Sequence, residues 1–162
     1  MSVLDPASVL RYWHKLSPLP GGKWLFSFLL GRGVRYTGSI RPRVQMLEPG
    51  HAVVSMADRA AVRNHLRSVH AVALANLAEV SSGLALLAGL PPNARAILTA
   101  LSVEYLKKAR GTLTSECRID PITDATAREL TLESILRDAD GNVVARGHAR
   151  WKIGPNSERS RP

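Results

Sequence analysis

Disulfide bonds within the chain are excluded by its cysteine content, because its 162 residues include one cysteine, Cys117. A lone cysteine favours an intracellular address, and we expect a cytoplasmic protein. The opening residues lack the basic region and the apolar stretch of a signal peptide. Apolar runs such as residues 24–30 are too short or too polar for a membrane span, so we expect none.

Acidic residues are also scarce, with 13 Asp and Glu against 22 Lys and Arg and a net charge of +9. This surplus favours anionic partners, such as nucleic acid, an anionic membrane, an acidic carrier protein or a phosphorylated ligand. Aromatic residues make up only 5% of the chain, and no basic stretch interleaved with aromatics is apparent. Nucleic-acid or membrane-surface binding is therefore the least favoured interpretation, and we expect no nucleic-acid partner.

Motifs for metals and for phosphate loops are missing from the sequence. One cysteine and five scattered histidines give no metal-ligand spacing, and no glycine-rich loop follows a strand. We therefore predict no metal and no separate cofactor. Cys117 is predicted to be buried beside Leu113, whereas His51 and His148 are predicted to be exposed. The three tryptophans are predicted to anchor the core or an interface: Trp13, Trp24 and Trp151.

The hydrophobic pattern predicts an α+β fold. Asp5 suits the N-cap of a helix that ends at Leu16, and a second short helix follows over residues 23–30. Alternation over residues 36–46 predicts a strand, in which Pro42 indicates a sheet edge or a bulge. The other predicted elements are a return strand at 52–57, a helix at 71–87, strands at 96–106, 112–119, 129–137 and 143–153, and a hairpin turn at 138–142.

The central helix is apolar on nearly every side, so it needs to be covered. An antiparallel sheet of five to six strands wrapped round it would do so. We therefore divide the chain into an N-terminal helical extension at 1–33, a sheet-and-helix domain at 34–153 and a disordered basic tail at 154–162.

Glu79 is the unusual residue of this helix, because it stands among Leu74, Leu77 and Leu84. A carboxylate rarely enters such surroundings unless it is paired or used. Burial would raise its pKa and suit it to general base or nucleophile chemistry. Asn76 lies on the same face at helical spacing, which gives a narrow polar stripe.

The start of the same helix offers a second chemical feature. His70 stands where the helix begins, and free backbone N–H groups such as that of Ala71 favour negative charge there. A carbonyl oxygen that gains charge during acyl transfer could be held at this point.

These residues carry a resemblance to a known family. The pattern Asn-x5-His-Ala-x-Ala-Leu-x-x-Leu-Ala-Glu, from Asn64 to Glu79, resembles hotdog-fold acyl-CoA thioesterases. It is most similar to the 4-hydroxybenzoyl-CoA and phenylacetate-pathway type, and within that type to a poorly characterised bacterial branch. The resemblance covers residues 36–153 and implies a hotdog domain that acts as a homodimer or homotetramer.

The resemblance also implies roles for individual residues. The loop and helix start of one subunit would hold the thioester carbonyl, while Glu79 would come from the facing subunit as base or nucleophile. Asn64 would orient the acyl group or the water, His70 would fix the loop and help polarise the thioester, and the N–H of Ala71 would be the oxyanion donor. Three residues would contact the substrate: Asn76, Ser82 and Gly83.

Coenzyme A would enter only as part of the substrate, and an acyl carrier protein is an alternative carrier. In relatives the region at Lys107, Lys108 and Arg110 lies near the coenzyme A phosphates, although a solvated hairpin turn is an equal alternative. The family often has two glycines after the histidine, where this chain has Ala71 and Val72, whose side chains narrow the approach. This departure favours a second hypothesis, in which the protein binds an acyl thioester or another apolar ligand without cleaving it.

Overall fold

A computed structural model describes residues 6–156 of the chain, so Asp5 and the tail from residue 157 onward lie outside the described residues. The described helices are α1 (Pro6–Leu16), α2 (Gly22–Gly33), α3 (Arg35–Ser39) and α4 (Ala71–Gly89). The strands are β1 (Arg43–Glu48), β2 (His51–Met56), β3 (Ala94–Tyr105), β4 (Leu113–Arg118), β5 (Arg128–Arg137) and β6 (Val143–Pro155). The predicted order of two strands, a long helix and four strands is confirmed.

Helix α4 lies at the centre of the hydrophobic core, because its apolar surface is removed from water only when the sheet covers it. Leu77, Ala85 and Leu86 are fully buried, and all six strands contact the helix. By length and composition alone α4 is apolar enough to cross a membrane, yet most of it is buried inside the described fold. It is therefore the core helix that the sequence predicts.

The six strands form one antiparallel sheet in the order β1-β2-β4-β5-β6-β3. Strands β1 and β3 are thus the two edges. The hairpin predicted between β5 and β6 is present, and Asp138 caps it by accepting hydrogen bonds from the N–H groups of Asp140 and Asn142.

The strand predicted over residues 36–46 is only partly correct. Residues Arg35–Ser39 form helix α3, and β1 begins at Arg43, after Pro42. The alternation misled because Tyr36 is exposed on α3, whereas Thr37 is buried. The edge and the bulge that Pro42 indicated are both found, since β1 is an edge strand with a register shift between Val44 and Met46.

A buried cluster of three serine hydroxyls joins α4 to the middle of the sheet. Ser81 Oγ lies 2.7 Å from Ser115 Oγ on β4 and 2.9 Å from Ser134 Oγ on β5. Ser134 Oγ also donates to the carbonyl of Ala78 at 3.0 Å. We call this set the serine cluster; it satisfies polar groups that would otherwise be costly to bury.

Three single side chains can be compared with the burial predicted for them: Cys117, His51 and His148. Cys117 is buried on the inner face of β4, as predicted, and burial raises the pKa of its thiol to about 11. His51 was predicted to be exposed, and this is wrong, because it is buried on β2 with its Nε2 2.8 Å from Glu116 Oε1 on β4. The side chains of β2 point alternately to the two faces of the sheet. Both faces of β2 are covered, so His51 is buried although it points away from the core. His148 is half-buried near Glu133.

Candidate active site at the start of the central helix

His70 is the N-cap of α4, with extended backbone angles of φ −66° and ψ 140°. Its Nδ1 accepts a hydrogen bond from the N–H of Val72 at 3.1 Å, which satisfies one of the free amides of the first turn. In a neutral imidazole with Nδ1 as acceptor, the proton resides on Nε2. His70 is exposed, so this Nε2–H can donate to a ligand.

The N–H of Ala71 is the free donor of the helix start. The N–H groups of Ala73 and Leu74 bond to the carbonyl of His70, and that of Val72 bonds to the imidazole, whereas the N–H of Ala71 makes no hydrogen bond among the described residues. An unused amide at the positive end of a helix stabilises a developing oxyanion. This geometry suits the role that the resemblance implies.

Tyr105, the last residue of β3, also reaches this helix start. Its hydroxyl donates to the carbonyl of Ala71 at 3.1 Å, and partial burial raises the pKa of the phenol. Tyr105 could not be predicted as a site residue from the sequence, because only the sheet pairing brings the end of β3 to the start of α4.

Asn64 organises the loop before α4. Its Oδ1 accepts hydrogen bonds from the N–H of Leu66 and from both the N–H and the hydroxyl of Ser68, at 2.9 to 3.2 Å. The side chain thus folds back on its own loop, as asparagine does in tight turns. Its Nδ2 has no hydrogen bond among the described residues and is the group that could reach a substrate.

Glu79 lies half-buried on the least covered face of α4. On that face Val72 is 49% exposed and Ala75 is half-buried, at the spacing of successive helical turns. Glu79 makes no ion pair with a described residue, and burial raises the pKa of its carboxyl group. A carboxylate that is partly desolvated and unpaired is a stronger base than one in water.

Asn76 borders a cavity of about 190 Å³ beside the helix start, which we call the α4 cavity. Its Nδ2 donates to the carbonyl of Tyr36 at 3.2 Å, which fixes the orientation of the amide. Asn76 is 4% exposed, and its Oδ1 has no hydrogen-bond partner among the described residues. Because a buried acceptor without a donor is costly, a ligand donor at this point would be stabilised. His70 and Ser39 also line this cavity.

Ser82 and Gly83 lie further along α4, beneath the indole of Trp151 on β6. Trp151 Nε1 donates to Ser82 Oγ at 3.4 Å, and Ser82 Oγ donates to the carbonyl of Glu79 at 3.0 Å. A side chain at Gly83 would meet the Trp151 ring at 3.4 Å. Both residues therefore support the turn that carries Glu79, and neither lines the α4 cavity.

The loop with Lys107, Lys108 and Arg110 lies beside the same end of α4. The N–H of Val69 donates to the carbonyl of Ala109 at 2.8 Å, so the loop is tied to the segment that enters the helix. Asp58 adds a second tie, because it pairs with Arg63 at 2.7 Å and accepts from the N–H of Gly111 at 2.9 Å. The Arg63 hydrogen bond lowers the pKa of Asp58.

One chain does not bring all the predicted site residues to one point. His70, Ala71 and Asn76 cluster at the start of α4, but Glu79 is about 12 Å along the helix from Ala71 at the usual rise per residue. A carbonyl held at the Ala71 N–H is therefore out of reach of the same chain's Glu79. Within residues 6–156, no group of three or more His, Cys, Asp or Glu side chains could hold a metal ion.

Comparison with known proteins places this site in a family. The family model described as "Domain of unknown function (DUF4442)" matches residues 22–153. The chain belongs to this family. No curated protein sequence matches it.

Solved structures similar to this DUF4442 protein share its architecture. A crystal structure described only as a genomics target has 29% sequence identity and a TM-score of 0.78, over 90% of this chain and 97% of that one. A Pseudomonas aeruginosa protein of unknown function, named a probable thioesterase, has 26% identity and a TM-score of 0.74, over 85% of this chain and 97% of that one.

A mutant thioesterase from Staphylococcus aureus subsp. aureus Mu50 has a TM-score of 0.66, over 75% of this chain and 99% of that one. Its 15% identity shows the fold alone. The hotdog fold predicted from the sequence is therefore confirmed, and the DUF4442 protein is a thioesterase-like hotdog protein in a poorly characterised branch.

Proposed function

We propose that this protein hydrolyses an acyl thioester at an interface between two copies of the chain. The proposal rests on Glu79, an unpaired and partly desolvated carboxylate on the open face of an otherwise apolar helix. The start of α4 in one copy would polarise the thioester carbonyl through the N–H of Ala71, with His70 Nε2–H as a second donor. The facing copy would supply Glu79.

The separation of the two groups along α4 supports a second copy. Antiparallel pairing of two α4 helices would bring Glu79 of one chain toward Ala71 of the other, which a single chain cannot do. Edge strand β3 ends at Tyr105, whose hydroxyl touches the helix start, and the outer side of β3 has no strand partner among the described residues. We therefore propose a homodimer joined along β3, from which a tetramer could also be built.

The chemical step needs no added cofactor. Glu79 accepts a proton from water as the water oxygen bonds to the carbonyl carbon, and the carbonyl oxygen gains negative charge beside the Ala71 N–H. The carbon–sulfur bond then breaks, and the proton passes from Glu79 to the leaving sulfur. In the alternative route the Glu79 carboxylate bonds to the carbonyl carbon and the carbon–sulfur bond breaks to release a thiolate; water then hydrolyses the resulting anhydride, which restores the carboxylate, and the proton released passes to the thiolate.

The substrate class is an acyl thioester of coenzyme A or of an acyl carrier protein. The basic loop at Lys107, Lys108 and Arg110 adjoins the start of α4 and would suit the phosphates of either carrier. Asn76 Oδ1 would accept a hydrogen bond from an amide N–H or a hydroxyl group of the bound ligand. The cytoplasmic location remains a prediction from the cysteine content.

A panel of short-chain, long-chain and aryl acyl-CoA substrates tests the proposal with wild type and Glu79→Gln. We expect hydrolysis of at least one substrate, and a kcat about 10²–10⁴-fold lower in the variant because the base is lost. Glu48→Gln, which neutralises an exposed glutamate on the opposite edge strand β1, is the matched control and should keep full activity. No turnover across the panel by wild type, or full turnover by Glu79→Gln, would contradict the proposal.

Mixing two inactive variants tests whether the site is shared between copies. His70→Ala and Glu79→Gln chains, unfolded together and refolded, would form mixed dimers in which one site has both groups intact. We expect about a quarter of the wild-type rate, because half of the dimers are mixed and half of their sites work. A mixture no more active than its parents would place the complete site within one chain.

A second candidate function is binding without cleavage. It is favoured by Val72, whose half-exposed side chain stands at the helix start beside the free amide. This side chain narrows the approach of water and substrate to the Ala71 N–H. Tight acyl-CoA binding with no turnover, unchanged in Glu79→Gln, would select this function.

A further inference from the structure

An open groove of about 900 Å³ lies on the side of the protein formed by α2, α3 and the start of β1. We call it the arginine groove, after four arginines that line it: Arg32, Arg35, Arg41 and Arg43. Its volume is that of a site for a ligand of nucleotide size. The groove was not predicted from the sequence, because a single strand over residues 36–46 would have spread these arginines along a sheet edge.

Positive charge in the arginine groove is not neutralised within the described chain. None of the four arginines forms an ion pair with a described residue, and no Asp or Glu lines the groove. Arg59 adds a fifth charge at the rim, where it donates to the carbonyl of Ser39. Burial and the nearby charge of Arg41 lower the pKa of Arg59. An anionic ligand would relieve this repulsion.

One wall of the groove is aromatic. Trp24 and Phe28, one turn apart on α2, stack with ring centroids 5.4 Å apart and an interplanar angle of 9°. Each is 51% exposed, and the guanidinium of Arg43 lies 5.7 Å from the Trp24 ring centre. Trp24 was predicted to anchor the core or an interface, yet it faces the groove instead. An exposed aromatic stack among arginines suits a ligand with both a planar ring and phosphates.

The groove is held in shape by a close helix contact. A Cβ atom at Gly38 would lie 2.3 Å from the carbonyl oxygen of Gly31, so α2 and α3 can approach this closely only because residue 38 is glycine. Arg32 and Arg35 flank this contact. Arg41 then adopts a left-handed backbone, with φ of 50°, which is uncommon for a residue with a side chain. Its strained backbone and the glycine contact both place arginines around the groove.

We propose that the arginine groove binds a nucleotide, with its phosphates on the arginines and its base against the Trp24–Phe28 wall. Two sources share this chemistry, namely a free nucleotide that acts as an effector and the nucleotide end of a coenzyme A thioester. The second source rests on the function proposed above. Guanidinium groups bind phosphate through paired N–H donors, and aromatic rings stack on bases, so the groove offers both contacts.

The groove adjoins the candidate active site. Ser39 lines both the arginine groove and the α4 cavity, and α3 stands between them. The α3 residue Tyr36 accepts the hydrogen bond from Asn76, so a ligand that shifts α3 would also move an α4 side chain. A thioester arm that leaves the groove past Ser39 would enter the cavity that holds His70 and Asn76.

Binding measurements test the proposal without turnover. Calorimetry would compare coenzyme A, adenosine 5′-diphosphate and inorganic phosphate as probes of the full chain. We expect the double variant Arg35→Glu and Arg41→Glu to weaken coenzyme A and nucleotide binding by at least about tenfold. The matched control, Arg150→Glu and Lys152→Glu, makes the same change of charge at two exposed positions of β6 that line neither the groove nor the α4 cavity, and it should bind as wild type does. All four positions are exposed, so the fold should persist.

The outcomes separate the two sources and the alternatives. Coenzyme A bound about tenfold or more tightly than the nucleotide would identify the thioester as the ligand, whereas equal affinities would identify a free nucleotide. The proposal is overturned if wild type binds neither, if only the β6 control variant loses binding, or if the arginines bind anionic phospholipid vesicles but no nucleotide. Nucleotide binding without any acyl-CoA hydrolysis would uphold the groove and refute the proposed hydrolysis.

Discussion

The two edges of the sheet are built differently. Strand β1 has six residues and a bulge, and α2 covers it: the hydroxyl of Ser27 accepts the N–H of Val44 at 2.9 Å, and Lys23 Nζ donates to the carbonyl of Gln45 at 2.7 Å. Strand β3 has twelve residues, and no described element covers its outer side. Proteins normally shield such an edge, and this contrast supports the proposed pairing of a second copy with β3.

The residues of β3 support the same conclusion. Leu98, Leu101 and Val103 on its inner face are only half-buried, and Ile97 on its outer face is 54% exposed. This incompletely covered strand lies near the open face of α4 that carries Glu79. The β1 edge is closed within the chain, whereas the β3 edge and the adjacent helix face are suited to be closed by a second copy.

The largest expected effect comes from blocking β3. Lysines at Ile97 and Ser102, both exposed, would repel a second copy along the strand without disturbing the core of one chain. We expect Ile97→Lys with Ser102→Lys to weaken the dimer by about a hundredfold or more and to abolish hydrolysis in parallel. Analytical ultracentrifugation over a dilution series would measure this.

The control for that variant adds two lysines away from β3. Leu19→Lys and Gln45→Lys change exposed residues, the second on the β1 edge, and should leave the association unchanged. If both double variants associate as wild type does, the two edges are equivalent and the comparison above is wrong.

An intermediate effect is expected at the covered edge. Ser27→Ala would leave the buried N–H of Val44 without an acceptor, which should lower the free energy of unfolding by about 1–3 kcal/mol. Urea denaturation would measure it. Ser102→Ala, at an exposed serine of β3, is the matched control and should change stability by less than about 0.5 kcal/mol. Equal losses in the two variants would show that Ser27 does not secure the edge.

The smallest effect concerns Glu79 and pH. Burial raises the folded-state pKa of its carboxyl group above the unfolded value, so the folded state holds the proton more tightly. Ionisation therefore destabilises the fold: the cost is absent below the unfolded pKa, grows between the two pKa values and is complete above the folded one. Glu79→Gln removes this cost.

We expect Glu79→Gln to raise Tm by no more than about 2 °C at pH 7–8 and to have no effect near pH 4. The small size follows from the partial exposure of the side chain, which water screens. Thermal denaturation of wild type and variant at each pH would show it. A fall in Tm of the variant at pH 7–8 would mean instead that a partner stabilises the carboxylate.

Much of the fold can be predicted from the hydrophobic pattern of the sequence. The errors occur where the residues that are buried differ from those that the pattern predicts to be buried. The long apolar helix and the alternating β6 were predictable because each buries a face set by its own period. Helix α3 was not, since its five residues are too few to show a helical period. His51 was misplaced because β2 is covered on both faces.

The candidate site divides in the same way. Glu79, His70 and Ala71 were predictable because a buried acid and a helix start are local signals. Tyr105, Tyr36 and the arginine groove were not, because each depends on pairing between segments distant in the sequence. The hydrogen bonds that Asn64 makes within its own loop were also hidden, since the same residue type suits a loop and a substrate contact.

The serine cluster restricts rotation of α4 about its own axis, which burial of the apolar surface of the helix does not do by itself. A helix surrounded by methyl and methylene groups can turn about its own axis at little cost, because such contacts have no direction. Hydrogen bonds from Ser81 to β4 and β5 are directional and oppose that rotation. One residue of rotation, about 100°, would carry Glu79 from the open face toward the sheet. The buried hydroxyls of the serine cluster thus fix the rotation of α4 at which Glu79 lies on the open face.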